Sequence, residues 1–475
     1  MKKLLCILLS LMLLLGCASL SLAEDAAAAE TEAPAEESAP VLLVTVNGQE
    51  IYTDNAYLND IIGYYVDYAA SYGYDTSDQE MINTINQYSL NYTIRSFVLR
   101  QKAAELGLDQ VTDEDLASRK AEAAAEWEEI IDSFVTDAGI TADSTEDEKA
   151  AARADAEAAI LENYGYTAES YVNAVLENEK DNIITERVEA RLTEGKTVTD
   201  EDILNYFNDL VKDDQEAYAN DIGSYEFYTQ YYGQPSYYTP EGYRGITHIL
   251  LKVDDELLNT WKDLNARLEE QEAAENAEAT ETEQPEETPA ADAEPTAEPE
   301  PTAEPVTKEM VEAAEKAIMD SVQPTVEEIM AKLEAGTSFE DLIKEYGTDT
   351  GMQDDATRAA GYAVHKDSIL WDTAFRDAAM ALEKIGDVSK PVLGTYGVHI
   401  LQYLRDIPAG AVELTDEMKK EFRDTIWSEI VNEALNTALD QWTAEADIVY
   451  TEVGETWKLS EEEAADETAG EAAAE

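Results

Sequence analysis

Cysteine is almost missing: the 475 residues hold Cys6 and Cys17 and no other. Both fall in the first seventeen positions, so the chain beyond them is built without disulfides or thiolate chemistry and relies on ordinary apolar cores. Histidine is nearly as scarce, with His248, His365 and His399 the full set. Ligands at workable spacing are therefore lacking, and neither a metal nor another cofactor is expected. Positive charge is the third shortage. Against 104 Asp and Glu stand 32 Lys and Arg, a formal net charge of −72, and nucleic acid is excluded because duplex binding needs basic side chains to neutralise phosphates. The apolar run from Leu4 to Leu15 is too short to span a bilayer.

That run follows Met1-Lys2-Lys3 and precedes Gly16-Cys17, the order of charged region, apolar region and small-residue exit that marks an export signal. Leu14-Leu15-Gly16-Cys17 resembles the lipobox of bacterial lipoproteins. The resemblance implies a signal over residues 1–17, lipidation of Cys17 and anchorage on the outer face of the cell membrane. Cleavage after Ser21-Leu22-Ala23 is the alternative, releasing a free protein; both routes export the chain. Residues 18–40, 269–306 and 456–475 are dominated by Ala and Glu with Pro, Thr or Ser. Such compositions cannot bury a core and predict a disordered tether, a disordered acidic insert and a disordered tail.

Between these segments the pattern is regular. Val41 to Tyr52 is a β-branched run broken by Asn47-Gly48, which predicts a hairpin. Apolar residues then recur at three and four from Thr53 to Leu108, and helices are expected again over 112–136, 145–164 and 167–194, with Thr112-Asp113-Glu114-Asp115 capping the first of these. Another helix starts at Thr199. Tyrosines crowd the stretch Tyr225 to Tyr243; exposed, they would suit adaptable peptide contact, and packed they would join helices or line a linker. Arg244 to Val253 reads as a buried strand. After the insert come helices from Thr307 to Glu334 and Ser338 to Glu345. A weak strand at Gly361 to His365, a helix ending at Leu382, and strands Val388 to Leu393 and Gly397 to Leu404 follow. A long helix from Thr415 to Ala444 and a strand-like 447–453 close the pattern. The class is α+β: a helical domain over 41–243, a second domain over 244–406 with a small antiparallel sheet and surrounding helices, and a C-terminal helical segment over 407–455.

The second domain resembles the parvulin-type peptidyl-prolyl isomerases along its length. Ile246-Thr247-His248-Ile249-Leu250 resembles that family's first strand with its histidine, and Gly336-Thr337-Ser338-Phe339-Glu340-Asp341-Leu342 resembles the entry to its second helix. Tyr346-Gly347-Thr348-Asp349 stands at its Tyr-Ser-x-Asp corner. Phe375 to Leu382 is similar to its third helix, and Val388-Ser389-Lys390-Pro391-Val392 with Tyr396-Gly397-Val398-His399-Ile400 to its last strands and second histidine. The family's Gly-Gly-Asp-Leu-Gly strand is here Arg358-Ala359-Ala360-Gly361-Tyr362, which keeps one glycine and loses the Asp and Leu. The resemblance implies a hydrogen-bonded centre of His248, Asp349 and His399 beside a proline pocket of Ala360, Trp371 and Phe375. By themselves, a histidine on an apolar strand and a lone Phe fit a plain core equally well. His365, beside Lys366 and Asp367, reads as surface.

The segments Val46 to Ile51 and Glu105 to Glu114 are similar to the chaperone part of PrsA- and SurA-like foldases, a SurA-N-like helical domain on which the C-terminal helix folds back. The combined resemblance implies an extracytoplasmic foldase that binds unfolded exported polypeptides and isomerises their X-Pro bonds. The alternative is a chaperone or holdase whose parvulin domain is weak or inactive.

Overall fold

The computed structural model describes residues 39–281 and 305–460. The export signal with Cys17, most of the tether, part of the acidic insert and the tail from 461 onward lie outside the described residues. The chain divides into two compact units, one reaching to Thr199 and resuming at Lys420, the other running from Asp200 to Lys419. Residues 200–243 thus pack with the sheet-bearing unit.

In the first unit, β1 (Leu42–Val46) and β2 (Gln49–Tyr52) are joined by Asn47-Gly48. Both turn residues have positive φ, 49° and 84°, as the two-residue turn favoured by this dipeptide requires. The far edge of β1 is covered by β9 (Ile448–Tyr450), with Val44 opposite Tyr450. Leu43, Val46 and Ile51 are buried against Leu58, Leu90, Ile94 and Val98 of the helices Ala56–Ser71 and Gln79–Leu106. The helices Ala117–Asp137, Glu146–Tyr164 and Ala168–Leu192 follow. Thr145 and Thr167 form capping boxes at the last two. Thr112 and Asp115 exchange the hydrogen bonds of a cap, but the chain turns before the helix starts at Ala117, because Asp115 is drawn to Arg187 at 2.6 Å. Leu435 and Leu439 of the helix Asp416–Glu445 pack on Ala103 and Val188.

The second unit is centred on an antiparallel sheet of order β5-β4-β7-β6, made of β4 (Arg244–Leu251), β5 (Tyr362–Val364), β6 (Val392–Gly394) and β7 (Gly397–Asp406). A two-stranded pair, β3 (Tyr238–Thr239) with β8 (Gly410–Ala411), stands apart from it. Side chains alternate across the sheet. Ile249, Leu251, Val398 and Ile400 belong to a core with Ile318, Ile329, Leu342 and Ile343 of the helices Lys308–Glu334 and Phe339–Tyr346. Ile246, Leu401 and Tyr403 belong to another with Phe375 and Ala379 of the helix Thr373–Ala381. The helix Lys308–Glu334 continues through Pro324.

Two expectations change here. The helix Asp255–Glu281 carries regular structure well into the stretch 269–306 whose composition predicts disorder. Ala and Glu are strong helix formers, and partners across the insert hold the arm: Gln271 exchanges two hydrogen bonds with the Val306 backbone, at 3.2 and 2.8 Å, and Lys308 meets Glu272 at 2.8 Å. Secondly, Arg358 to Ala360 end a short helix, Asp355–Ala360, and only the three residues of β5 are strand. Gly361 makes the corner at φ 72°, where a Cβ would lie 2.8 Å from the Ile246 nitrogen.

Candidate active site

The pairing of β4 with β7 sets His248 opposite Leu401 and Leu250 opposite His399. The two histidines are therefore diagonal neighbours on one face. Their Nδ1 atoms lie 3.0 Å apart and the rings are stacked at 5.1 Å. One proton between the two nitrogens serves both, so each ring fixes the other's tautomer. On its other side His248 presents Nε2 to Asp349 Oδ2 at 2.8 Å. Asp349 also accepts from the Tyr362 hydroxyl at 2.9 Å and from the Gly351 backbone at 3.1 Å. A Cβ on Gly351 would fall 1.9 Å from the Tyr362 hydroxyl, so a side chain there would displace that hydroxyl from its present place beside Asp349.

Aromatic rings wall this polar line. Phe375, buried, meets His248 and His399 edge to face, each at 5.2 Å. Trp371 stacks on Phe375 at 5.1 Å with 24° between planes, and Tyr362 meets Trp371 at 4.9 Å. The Trp371 indole donates to the Ala363 carbonyl at 2.9 Å, which fixes its orientation. Asp372 caps the helix behind Phe375, accepting from the Phe375 amide at 2.9 Å. A Cβ on Gly394 would lie within 2.6 Å of Asp372 Oδ2 and 3.0 Å of His399 Nε2, so glycine is what lets these groups approach.

Five of the six residues expected at the site, His248, Asp349, His399, Trp371 and Phe375, are thus brought together. Ala360 is not. It is exposed at the end of its helix, its carbonyl accepting from Arg405 at 2.8 Å, because the chain is still helical where a strand was expected. Tyr362, two residues on, occupies the ring cluster instead. Sequence reading also passed over Tyr362 as an Asp349 partner, although it sits in the quoted string. His365 is a correction of the opposite kind. Expected on the surface, it is buried, with Nε2 on the Glu241 carbonyl at 3.1 Å, Nδ1 accepting from the Asp367 amide at 3.0 Å, and its ring against Tyr243. Among the described residues no group of three or more His, Cys, Asp or Glu is placed to hold a metal ion.

Burial lowers the His399 pKa from 6.5 to about 4, with the neighbouring His248 charge acting in the same direction. The His248 hydrogen bond is the largest cause holding Asp349 near 2, below its ordinary 3.8. The linkage follows. An unfolded chain takes up a proton at His399 near pH 6.5 while the folded one refuses it until about 4, so this contribution is complete above 6.5 and lost as pH falls to 4. Asp349 adds a second loss between 3.8 and about 2. Comparing the melting temperature of wild type with His399→Gln across pH isolates the first step: the difference between the two proteins should shrink between pH 6.5 and 4. A constant difference would contradict it.

A protein-family comparison matches residues 305–405 to the rotamase family, the PPIC-type PPIase domain. Asp349, Trp371, Phe375 and His399 lie inside that span, whereas His248 lies on the far side of the insert. Foldase protein PrsA 2 of Listeria monocytogenes is 34% identical over 121 residues, 26% of this chain and 39% of that protein. Foldase protein PrsA of Bacillus subtilis is 33% identical over 133 residues, 28% of this chain and 42% of its own length. The chain thus spans about two fifths of the curated relatives it matches. Among solved structures, PrsA from Bacillus subtilis is 20% identical, covering 74% of this chain and 95% of that one with a TM-score of 0.20.

Proposed function

From a chain that carries a parvulin-type rotamase domain and is related to PrsA foldases, we propose an extracytoplasmic foldase that binds unfolded exported polypeptides and isomerises their X-Pro bonds. The observation that carries it is the hydrogen-bonded line Asp349, His248, His399, with both histidines buried and set edge to face against Phe375. Rotation about an X-Pro bond breaks no covalent bond; the barrier, about 20 kcal/mol, comes from amide resonance, which water stabilises. A site that receives the ring on aromatic faces and strips water from the imide favours the twisted form over either planar one. His399, held neutral by its burial, offers no charge that would restore the planar, polar amide. Asp349, fixed by His248, Tyr362 and Gly351, keeps the imidazole pair in place. No described helix is long and apolar enough to cross a membrane; a lipid anchor at Cys17 is proposed to tether the protein to the outer face of the cell membrane.

The direct test is acceleration of cis/trans exchange in unphosphorylated X-Pro peptides by the mature chain, with His248→Ala as the comparison. Acceleration that the variant loses supports the site; a folded wild type that accelerates nothing refutes it.

One observation favours the holdase alternative. Trp371 lies directly on Phe375, tethered by its indole, and a centroid separation of 5.1 Å leaves no room for a proline ring between them. On this reading Trp371 damps the activity of an otherwise complete site. Trp371→Met, which removes the stacked indole and its tether, should raise kcat/KM toward X-Pro peptides by roughly tenfold, equivalent to about 1.4 kcal/mol of barrier. A drop in kcat/KM would instead make the indole part of the proline-binding surface.

A further inference from the structure

Two carboxylates hold the chain on either side of Trp371, and they differ in how fully they are used. Glu226, which opens the π-helix Glu226–Tyr231, is fully buried. It accepts from the Tyr243 hydroxyl at 3.0 Å, the Ser368 hydroxyl at 2.5 Å, and the backbone amides of Ile369 and Leu370 at 2.7 and 3.3 Å. These donors make it an anchor for the segment that leads into Trp371. Asp372 is half-buried and has capacity left. Its Oδ1 accepts from the Phe375 amide at 2.9 Å, whereas Oδ2 has two long contacts, 3.4 Å from the Thr395 amide and 3.5 Å from the Thr395 hydroxyl. Among the described residues it forms no ion pair with Lys or Arg; Arg376, one turn along the helix, is paired with Asp377 at 3.0 Å. Nor does His399 oppose its charge. Asp349 is an acceptor, so a neutral His248 donates to it from Nε2 and accepts at Nδ1 from the His399 Nδ1–H, which leaves a lone pair on His399 Nε2. That nitrogen is buried without a hydrogen-bond partner, and it and Asp372 Oδ2 both lie within 3.0 Å of one point, the Cβ position of Gly394. The histidine line thus ends beside a carboxylate that no described cation neutralises, next to the exposed Thr395 and Tyr396.

We propose that Asp372 is a specificity-determining residue for the isomerisation, selecting client segments that carry Lys or Arg next to the proline. The inference rests on the isomerase reading above and deepens it by naming the substrate class. Asp372 is bonded to the amide of Phe375, the ring against which the proline is received, so its carboxylate stands at the edge of the proline's seat. A residue flanking the proline has its Cα about 3.8 Å from the proline's own. From there the stem of Lys or Arg lies along apolar surface and carries its charged end outward, to Oδ2. A neutral flanking side chain leaves that oxygen to water, and Glu or Asp is repelled by it. Asp349 adds charge of the same sign at the other end of the line, but His248, Tyr362 and the Gly351 amide already donate to it. Asp372 is therefore the carboxylate with room for a cation from outside.

The test compares wild type with Asp372→Asn on peptides that differ only in Lys, Gln or Glu beside the proline. Asparagine caps a helix as well as aspartate does, so the variant removes the charge and keeps the fold; Asp372→Ser, another uncharged cap, must behave alike. Wild type should favour the Lys peptide over the Gln peptide by about three- to fivefold in kcat/KM, through KM, the scale of a partly exposed ion pair. The Glu peptide should fall below both, and salt at about 0.5 M should shrink the preference. Asp372→Asn should bring the Lys-to-Gln ratio near unity, while Glu383→Gln, which removes an exposed charge elsewhere in the same unit, should leave it unchanged. A wild type without preference for Lys overturns the proposal. So does a preference that survives in Asp372→Asn or falls equally in Glu383→Gln, either of which would assign it to the field of the whole chain, with its net charge of −72. If wild type accelerates none of the peptides, the isomerase reading fails, and fluorescence anisotropy of the labelled Lys and Gln peptides decides the role of Asp372. Tighter binding of the Lys peptide that Asp372→Asn loses upholds it, and any other pattern removes it.

Discussion

Glu226→Ala should destabilise the 200–419 unit by about 3 kcal/mol or more, since it strands two hydroxyls and at least one backbone amide in a buried place, at about 1–3 kcal/mol for each buried donor left unpaired. Water entering the vacated space recovers some of this, so the sum falls below three full penalties. Glu226→Gln keeps one acceptor oxygen and should lose about half as much. Residual isomerase activity through a urea series reports the unit that carries the site, and the midpoint should move well down for Ala and part of the way for Gln. Activity below the transition should fall too, because the freed segment Ser368 to Leu370 leads directly into Trp371 and the Asp372 cap. An unchanged midpoint in Glu226→Ala would show that the carboxyl anchors nothing.

Nothing in the sequence around Glu226 announces this role. A glutamate beside tyrosines looks like a solvated face, and its partners at 368–370 are some 140 positions away, where only the folded chain brings them together. The same reason hides Tyr362 as the second donor to Asp349, and the burial of His365, whose charged neighbours point outward while its ring turns in against Tyr243. What could be read were features whose cause is local or whose residues are rare. Asn47-Gly48 fixes its own turn. The threes and fours of Leu58, Ile61, Ile62 and Tyr65 fix a helix face. Thr145 and Thr167 cap the helices they precede. With three histidines in the chain, two at both positions of a known pattern are conspicuous, and the β4–β7 register then makes them neighbours. Composition misled where propensity and complexity disagree. The Ala- and Glu-rich residues up to Glu281 look like a linker, yet prolong a helix because Gln271 and Lys308 find partners across the insert. Thr112 misled for the converse reason: its cap forms, but the pull of Arg187 on Asp115 delays the helix that the cap should open.

Phe375→Ala should cost about 3–5 kcal/mol, the usual penalty for emptying a buried aromatic site, and should abolish isomerase acceleration. Stability and catalysis separate in Phe375→Leu. Leucine refills most of the volume and should recover most of the stability, but it has no ring edge or face to set against His248 and His399, so activity should stay low. A leucine variant with full activity would reduce Phe375 to filler. The alanine variant also reports on the histidine pair. Burial is the largest cause of the low His399 pKa, and water admitted where the ring had been weakens that cause, so His399 should titrate closer to 6.5 than to 4. Imidazole proton shifts followed by NMR against pH would show the change. A His399 pKa still near 4 in a folded Phe375→Ala protein would mean that the sheet and Asp372 side, not the aromatic wall, keeps water from the ring.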